Sequence, residues 1–305
     1  MIDCQALVEL LQHLRHQQYR FVAVTPATHA RVIGRPLEGP PTLRDIFGWS
    51  RPFAEEQADP RTVELLRQAK ALETQASGEM RSLVRVASLS DELFLHSAFP
   101  TNDRDAVFFG PDTYRFWTYL HVQLGGLAKR RHLVDMGAGS GAGGILASRF
   151  VGALKTTLVD INEAALTLSA ANAMVTGVHV ELLHDGEIPE RADLVIANPP
   201  YLMDGGHRSY RDGGTLLGGE LSLEWARQAL SRMSPGGVLL MYTGAAFTDG
   251  TAPLLKAIEA LCHDAAASLQ LCEIDPDVFG EELLSPPYAG VERIAAVGIR
   301  IQKML

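Results

Sequence analysis

The stretch ADLVIANPPY, residues 192–201, decides the fold of this chain. Its first six residues are a short, mostly apolar run that ends at an Asn-Pro-Pro turn, which is typical of a buried strand. A second apolar run, HLVDM at 132–136, ends in the same way at the glycine-rich segment 137–141 (GAGSG). Both runs are therefore predicted to be strands, each with turn-forming and polar residues at its carboxyl end.

The rest of the chain beyond residue 105 repeats this alternation of apolar runs and amphipathic segments. Strands are predicted at 132–136, 155–159, 178–183, 194–197, 238–242, 269–274 and 294–301, with helices between most of them. Strands that alternate with helices predict an α/β fold, in which helices cover both faces of a parallel sheet.

The first third of the chain has a different pattern. Helices are predicted over 3–18, from a Thr42 cap over 42–47, and over 60–76, and a two-stranded hairpin over 83–89 and 93–99. We therefore expect a small, mainly helical domain at 1–105, followed by the α/β domain at 106–305.

Composition narrows the class of protein. The 305 residues are 47% hydrophobic and carry a net charge of -9, which makes a large phosphate-binding surface less expected but leaves a local basic patch open. Cys4, Cys262 and Cys272 are too widely spaced to predict a disulfide framework or a zinc site. Asp3 and Glu9 interrupt the first apolar positions, and no apolar run is long enough to span a bilayer, so we expect a cytoplasmic protein without a membrane segment.

The segment 198–201 has the chemistry to present a planar nitrogen to an electrophile. The side-chain oxygen of Asn198 and the carbonyl of Pro199 are two fixed acceptors for the N–H groups of an amide or amine. Hydrogen bonds to both direct the nitrogen lone pair, and the prolines restrict the turn in advance. Tyr201 offers a flat face for stacking. The alternative is a Pro-Pro turn with Asn198 as a cap.

The glycine-rich segment has the chemistry to hold a nucleotide-like ligand. Glycines permit a sharp turn and a close approach of the backbone to a ligand, here at Gly137, Gly139 and Gly141. The spacing G-x-G-x-G differs from the G-x-G-x-x-G of dinucleotide sites, although glycines at 143–144 blur the difference. Asp135 precedes the turn, where it is placed to hold an amino group. Taken with 198–201, this segment predicts an S-adenosylmethionine site.

Further polar residues follow the next two predicted strands. Asp160 is placed to accept hydrogen bonds from ribose hydroxyls, and Asn162 lies beside it. Asp185 is placed to accept a hydrogen bond from an adenine amino group. Alternatively, Asp160 is a solvated loop residue and Asp185 belongs to a His-Asp-Gly turn. Carboxylates around the site suit a ligand that carries a sulfonium cation.

These motifs together resemble those of class I S-adenosylmethionine-dependent methyltransferases, in the N-P-P-Y subgroup of the release-factor glutamine N5-methyltransferases. The similar segments are DMGAGSG at 135–141, VDIN at 159–162, NPPY at 198–201, and GPDT at 110–113, in which Thr113 lies over the cofactor. The resemblance implies a Rossmann-like, seven-stranded, mostly parallel sheet with a reversed final hairpin and a helical N-terminal substrate domain.

The resemblance constrains the methyl acceptor less. The loop 202–214 does not match that of the glutamine methyltransferases, and the N-terminal hairpin is unusual for them. The first hypothesis is an N-methyltransferase for a planar amide or amine of a protein or small molecule, led by a protein glutamine side chain. The alternatives are an exocyclic base nitrogen of RNA or DNA, transfer of another sulfonium carbon with release of methylthioadenosine, and a binding module without turnover. In the loop, Tyr210, Arg211 and Asp212 either line the acceptor pocket or are solvated, and His207 is either a base or solvated.

Overall fold

The computed structural model describes residues 3–101, 103, 105–203 and 210–304. The chain divides into two compact units. The N-terminal unit comprises Met1–Tyr114, Gly139–Ala142 and Asn162–His179, and the sheet unit comprises Arg115–Ala138, Gly143–Ile161 and Val180–Leu305. The domain boundary near residue 105 stays a prediction.

The structure contains the following helices and strands, each numbered in chain order. The helices are α1 Cys4–His16, α2 Pro26–Ile33, α3 Leu43–Phe47, α4 Pro60–Gln68, α5 Pro111–Leu124, α6 Ala142–Val151, α7 Glu163–Thr176, α8 Glu220–Arg232 and α9 Pro253–Asp264. The strands are β1 Leu72–Thr74, β2 Met80–Ser82, β3 Val84–Leu89, β4 Glu92–Ser97, β5 His132–Met136, β6 Lys155–Asp160, β7 Glu181–His184, β8 Leu194–Ala197, β9 Val238–Phe247, β10 Ser268–Asp275 and β11 Arg293–Gln302. Short 3-10 turns cover Glu55–Gln57, Leu216–Gly218, Gly280–Leu284 and Pro286–Tyr288.

The sheet unit is built on a seven-stranded sheet of order β10-β11-β9-β8-β5-β6-β7. Strands β5 to β9 pair in parallel, whereas β11 is antiparallel to both of its neighbours. The predicted α/β fold is therefore confirmed, including the mostly parallel sheet and its reversed final hairpin.

Both faces of the sheet are buried at its central strands β5, β8 and β9, which explains why these strands are continuous apolar runs. In β9, Leu239 and Met241 pack on one face in a cluster that contains residues of α8 and α9. The intervening Leu240 and Tyr242 pack on the other face, in a cluster that contains residues of α5. Successive side chains of a strand point to opposite faces, so each face receives every second residue.

The N-terminal unit has its own core, formed largely by leucines of α1 on its buried side. Leu7, Leu11 and Leu14 are fully buried in one cluster with residues of α4, and that cluster also includes Leu168 and Ala171 of α7. Helix α7 therefore belongs to this core, although in sequence it connects β6 to β7 of the sheet.

A buried amide fixes α7 within the N-terminal unit. The Asn172 side chain is fully buried, and its Oδ1 accepts the Leu95 N–H at 2.8 Å. Its Nδ2 donates to the Leu95 carbonyl at 3.1 Å and to the Ser140 carbonyl at 2.8 Å. The amide thus satisfies backbone groups of β4 and of the glycine-rich segment at once, as a buried polar group requires.

One predicted helix is shorter in the structure. The cap at Thr42 is confirmed, because Thr42 and Asp45 form a capping box. The helix predicted over 60–76 is wrong beyond Gln68, where α4 ends. Lys70 takes a left-handed φ of 54°, and the next residues form β1, which pairs with β2. The apolar Leu72 matches helical spacing, but the distant pairing partner determines its conformation.

Two strand bounds in the sheet also differ. The strand predicted at 178–183 begins only at Glu181, and the strand predicted at 238–242 continues to Phe247. The longer β9 is paired along its whole length with β11. Within the residues that the structure describes, no helix has both the length and the apolar character needed to cross a membrane.

Candidate active site

Two strands at the centre of the sheet place their following residues side by side. Met136 at the end of β5 pairs with Ala197 at the end of β8. Gly137 and Asn198 therefore follow neighbouring parallel strands at the same level. From β5 the chain proceeds to β6 and β7 on one side, and then to β8 and β9 on the other. The carboxyl edge between β5 and β8 is thus a topological switch point, where open α/β sheets bind ligands.

The same edge continues through two carboxylates. Val159 of β6 pairs with Met136, which places Asp160 level with the residue after β5. His184 at the end of β7 pairs with Asp160, and Asp185 comes next. Three strand spacings separate β7 from β8, a span of about 14 Å. The edge therefore offers polar groups along an elongated site.

The turn after β5 needs glycine for two different reasons. Gly137 has a φ of +68°, and a Cβ there would lie 2.5 Å from Cη2 of Trp225. Its N–H donates to the Val159 carbonyl at 2.9 Å, which ties the turn to β6. Gly139 also has a left-handed φ, of +55°, but no atom of the residues that the structure describes lies within 4 Å of the position of its Cβ. Glycine adopts such a left-handed backbone without the steric cost that a Cβ would add.

The other residues of the segment fall in the N-terminal unit. Gly139 and Gly141 belong to that unit, and Gly141 has a φ of +74°. Their contact with a ligand stays a prediction.

Asp135 is buried beneath the turn and is 2% exposed. Its Oδ2 accepts the Gly144 N–H at 2.7 Å, which joins the end of β5 to the first turn of α6. Burial, together with the charge of Asp160, raises the pKa of Asp135 to about 7, although the hydrogen bond from the Gly144 N–H acts in the opposite direction. The structure thus gives Asp135 a role in shaping the turn, and its contact with an amino group of the ligand stays a prediction.

Asp160 and Asp185 are linked through the backbone. The Asp185 N–H donates to the Asp160 carbonyl at 3.3 Å. Asp160 is half-buried, whereas Asp185 is exposed and its Oδ1 accepts the Gly186 N–H at 2.7 Å. Asp185 therefore shows the turn geometry that the sequence left open as its alternative, and its contact with an adenine stays a prediction.

The last two predicted cofactor residues, Asn162 and Thr113, lie in the N-terminal unit. Asn162 caps α7, because its Oδ1 accepts the Ala164 N–H at 2.9 Å, and its Nδ2 donates to the Asp105 carbonyl at 2.7 Å. Thr113 lies in the first turn of α5, and its Oγ1 accepts the Gly110 N–H at 3.3 Å. Both side chains fix the local backbone, and their roles toward a cofactor stay predictions.

The segment after β8 combines an available amide with a packed ring. Asn198 is half-buried, and no group among residues 3–101, 103, 105–203 and 210–304 hydrogen-bonds to its side chain. Pro199 is buried, and Tyr201 is 7% exposed. The Tyr201 ring lies edge-on to Phe279, with 5.8 Å between the ring centroids. The amide is thus free to meet an acceptor, while the tyrosine anchors the turn.

The glycine-rich segment that follows residue 210 holds this turn through backbone contacts. The Leu202 N–H donates to the Arg211 carbonyl at 3.1 Å, and the Gly213 N–H donates to the Leu202 carbonyl at 2.7 Å. A Cβ at Gly213 would lie 2.0 Å from the Gly218 carbonyl oxygen. A Cβ at Gly218 would lie 2.3 Å from the Tyr201 carbonyl oxygen. These glycines permit a backbone packing that side chains would prevent.

A further glycine of the site was missed at the level of sequence. Gly244 lies in β9, where a Cβ would be 2.2 Å from Cδ2 of Tyr201. The ring of Tyr201 therefore rests on bare backbone. An isolated glycine within an apolar strand is a signal of such close approach, but the predicted strand ended at Tyr242, before this position.

The loop residues have protein partners where the structure describes them. The guanidinium of Arg211 pairs with the Glu282 carboxylate, and Oδ1 of Asp212 accepts the Gly214 N–H at 3.1 Å. His207 lies outside the described residues. Among the residues that the structure covers, no group of three or more His, Cys, Asp or Glu side chains is arranged to hold a metal ion.

Comparisons with known proteins agree with this geometry. Residues 118–245 match the family model of the methyltransferase small domain, which spans every strand end described above. A release factor glutamine methyltransferase of Cereibacter sphaeroides is 31% identical over 172 residues, or 50% of this chain and 57% of that protein. A ribosomal RNA small subunit methyltransferase C of Serratia proteamaculans is 31% identical over 116 residues, or 37% of this chain and 30% of that protein.

The fold has solved counterparts. Trm5b from Pyrococcus abyssi matches with a TM-score of 0.52 at 18% identity, over 82% of this chain and 69% of that one. This chain spans about half the length of the first curated relatives that it matches, 57% and 51%.

Proposed function

We propose that this chain, whose residues 118–245 match the family model of the methyltransferase small domain, is an S-adenosylmethionine-dependent N-methyltransferase for a planar amide or amine nitrogen. One observation carries the proposal: Gly137 and Asn198 follow the two strands that flank the topological switch point, at the same level. The turn at Gly137 and the amide of Asn198 are thereby neighbours on one edge of the sheet.

The residues present fit the cofactor. S-adenosylmethionine, when bound, supplies an electrophilic methyl group on a sulfonium centre. The glycine turn after β5 presents backbone without side chains, which lets a ligand approach closely. Asp160, level with that turn, is placed to accept hydrogen bonds from ribose hydroxyls. Its charge and that of Asp185 favour a cationic ligand at this edge.

The acceptor is positioned by the turn after β8. The Asn198 oxygen and the Pro199 carbonyl accept the two N–H groups of the acceptor nitrogen, which favours a pyramidal geometry and directs its lone pair. The turn does not need to rearrange to do so, because Tyr201 and the glycine-rich chain beyond residue 210 hold its backbone in place. The contribution is positioning and electrostatics, with no strong base required.

A protein glutamine side chain is the acceptor that we propose first. It is a planar primary amide with two N–H groups, which matches the two acceptors. The similarity to a release factor glutamine methyltransferase supports it over part of the chain. An exocyclic base nitrogen has the same donor pattern, so the experiment must separate the two.

The deciding experiment is mass spectrometry of candidate acceptors incubated with the purified chain and methyl-labelled S-adenosylmethionine. A label on a glutamine of a protein, with S-adenosylhomocysteine as coproduct, is the expected result. A label on RNA or DNA, with methylation that falls steeply as salt is added, would mean that the acceptor is a nucleic-acid base and not glutamine. Release of methylthioadenosine would mean that another sulfonium carbon is transferred in place of the methyl group. Binding of the cofactor without turnover on any acceptor would contradict the proposal that the chain is an enzyme.

We expect Asp160→Ala to weaken the affinity for S-adenosylmethionine by about 10- to 100-fold, because hydrogen bonds to a charged acceptor contribute about 1.5–3 kcal/mol. Isothermal titration calorimetry of the purified chain measures this. Asp264→Ala, which removes a highly exposed carboxylate at the end of α9, is the matched control and should leave the affinity unchanged. If Asp160→Ala and the original chain bind S-adenosylmethionine with equal affinity, Asp160 does not contact the cofactor.

A further inference from the structure

Strand β10 lies at one end of the seven-stranded sheet, and its outer edge is open. Within the described residues it pairs with β11 alone, in antiparallel register. None of the other backbone hydrogen bonds in that part of the chain involves a residue of β10. A single neighbouring strand satisfies only about half of the N–H and C=O groups of a strand. The outward groups of β10 are therefore available to a further strand.

The two edges of this sheet differ in how they are protected. Exposed edge strands are usually short, charged or interrupted by proline, which prevents pairing with another chain. β7, at the opposite edge, follows this rule, because it has four residues and its Glu181 pairs with Lys155 at 2.7 Å. β10 has eight residues, and its part 268–272, which we call the neutral segment, contains no charged residue and no proline. The bulge of β10 lies beyond this segment, between Glu273 and Asp275.

The two carboxylates of β10 are paired with arginines of the same unit. Oε2 of Glu273 accepts from the Arg293 guanidinium at 2.9 Å, and Oδ2 of Asp275 lies 3.0 Å from Nη2 of Arg115. Like charges that face each other across two strands destabilise the pairing, and these ion pairs remove that obstacle. A second copy of β10 would therefore meet an edge that does not repel it.

The side chains of the neutral segment alternate between apolar and polar. Leu269 packs against the cluster that contains residues of α9, and Leu271 points to the same face and is 37% exposed. Ser268, Gln270 and Cys272 point to the other face and are all exposed. The sequence of the segment is thus symmetric in polarity about Gln270, with one leucine on each side of it.

We propose that two copies of this chain form a dimer by pairing their β10 strands antiparallel, about a two-fold axis that passes through Gln270. An axis perpendicular to the sheet keeps both faces continuous, so each residue meets one that points to the same side. Leu269 then faces Leu271 of the second copy, and Leu271 faces Leu269, which covers apolar surface in both copies. The two Gln270 amides face each other and exchange hydrogen bonds. A different protein would have to supply a matching strand, whereas this segment is complementary to itself.

Helix α5 adds apolar surface at the same edge. A Cβ at Gly298 of β11 would meet the Tyr119 ring and would lie 2.8 Å from Sγ of Cys272, so Tyr119 lies beside β10. Val122, on the same side of α5 and one turn further along, is 69% exposed. A stable dimer buries about 800 Å² on each partner, which is more than one strand pair supplies, so the helix surface has to contribute. None of these residues takes part in the proposed methyl transfer.

Sedimentation equilibrium of the full chain, measured over a wide range of concentrations, tests the proposal. The expected result is an equilibrium between monomer and dimer that does not proceed to larger assemblies, because a two-fold pairing of one edge closes on itself. A chain that stays monomeric at every concentration, or that grows into open-ended assemblies, would overturn the proposal.

Gln270→Lys and Gln270→Glu test the position of the axis. Each variant alone places two like charges opposite each other, so the dissociation constant of its dimer should rise by about 5-fold or more. An equimolar mixture of the two variants should recover the dimer, because a lysine then meets a glutamate. Residue 270 is exposed, so both variants should fold, which circular dichroism checks. A mixture that is no more dimeric than the separate variants would overturn the proposal.

Leu271→Lys tests the apolar contact. It should raise the dissociation constant by about 10-fold or more, because the leucine contact is lost twice in each dimer and a lysine protects an edge strand from pairing. Leu284→Lys is the matched control, since it replaces a leucine that is 90% exposed outside β10, and it should leave the dimer unchanged. An unchanged dissociation constant for Leu271→Lys, or an equal rise in both lysine variants, would show that β10 is not the interface.

Discussion

Asn198→Ala is expected to lower kcat by about 100- to 1000-fold, the range found when a preorganised hydrogen-bonding group of an active site is removed. The affinity for S-adenosylmethionine should change little, because in the proposed reaction the amide contacts the acceptor nitrogen. Single-turnover kinetics with labelled cofactor measures the first quantity, and calorimetry measures the second. Loss of both to the same degree would contradict the assigned role.

Asn198→Gln separates chemistry from position. The variant keeps the amide and moves it outward by one methylene group. If positioning is what the turn contributes, this variant should also lose most of its activity while its thermal stability stays that of the original chain. Activity close to normal in Asn198→Gln would mean that any nearby amide suffices.

Gly244→Ala should destabilise the fold by about 1–3 kcal/mol, the usual effect of overpacking a well-packed interior. The added Cβ would lie 2.2 Å from the Tyr201 ring, which is itself buried against Phe279. The ring must therefore move, and with it the turn that carries Asn198. We expect kcat to fall together with stability, as measured by urea unfolding and by turnover.

Gly126→Ala is the matched control, because within the described part of the chain no atom lies within 4 Å of the position of its Cβ. Its stability should stay within about 0.5 kcal/mol of the original. In a Tyr201→Leu background, the smaller side chain should make Gly244→Ala less destabilising, since contacting residues do not add independently. An undiminished effect there would show that the clash is with another group.

The strand ends of the sheet were predictable because they depend on local pattern. Each central strand is a short apolar run that stops at a polar or glycine residue, and this pattern predicts the positions of Gly137, Asp160 and Asn198 at strand ends. Burial on both faces makes such runs continuous, so the parallel sheet follows from the sequence as well. The apolar runs also predicted the seven strands, and the resemblance to known methyltransferases supplied the reversed hairpin.

Features that depend on distant partners were not predictable in this way. The buried Asn172 sits in an alanine-rich helix, and nothing near it in sequence indicates that it bonds to Leu95 and Ser140. The contact of Gly244 with Tyr201 joins positions far apart in the chain. Leu72 fits a helical pattern equally well, and only its pairing with Ser82 makes it a strand residue.

The membership of α7 in the N-terminal core limits how this protein can evolve by recombination. A crossover near residue 105 that imported a foreign leading segment would leave Leu168 and Ala171 without the α1 leucines that cover them. Apolar surface would then face water, and the hybrid would be prone to aggregate. A viable exchange has to include α7 together with the leading segment that covers it. These two stretches of sequence are therefore expected to be inherited together, although the glycine-rich strand ends lie between them.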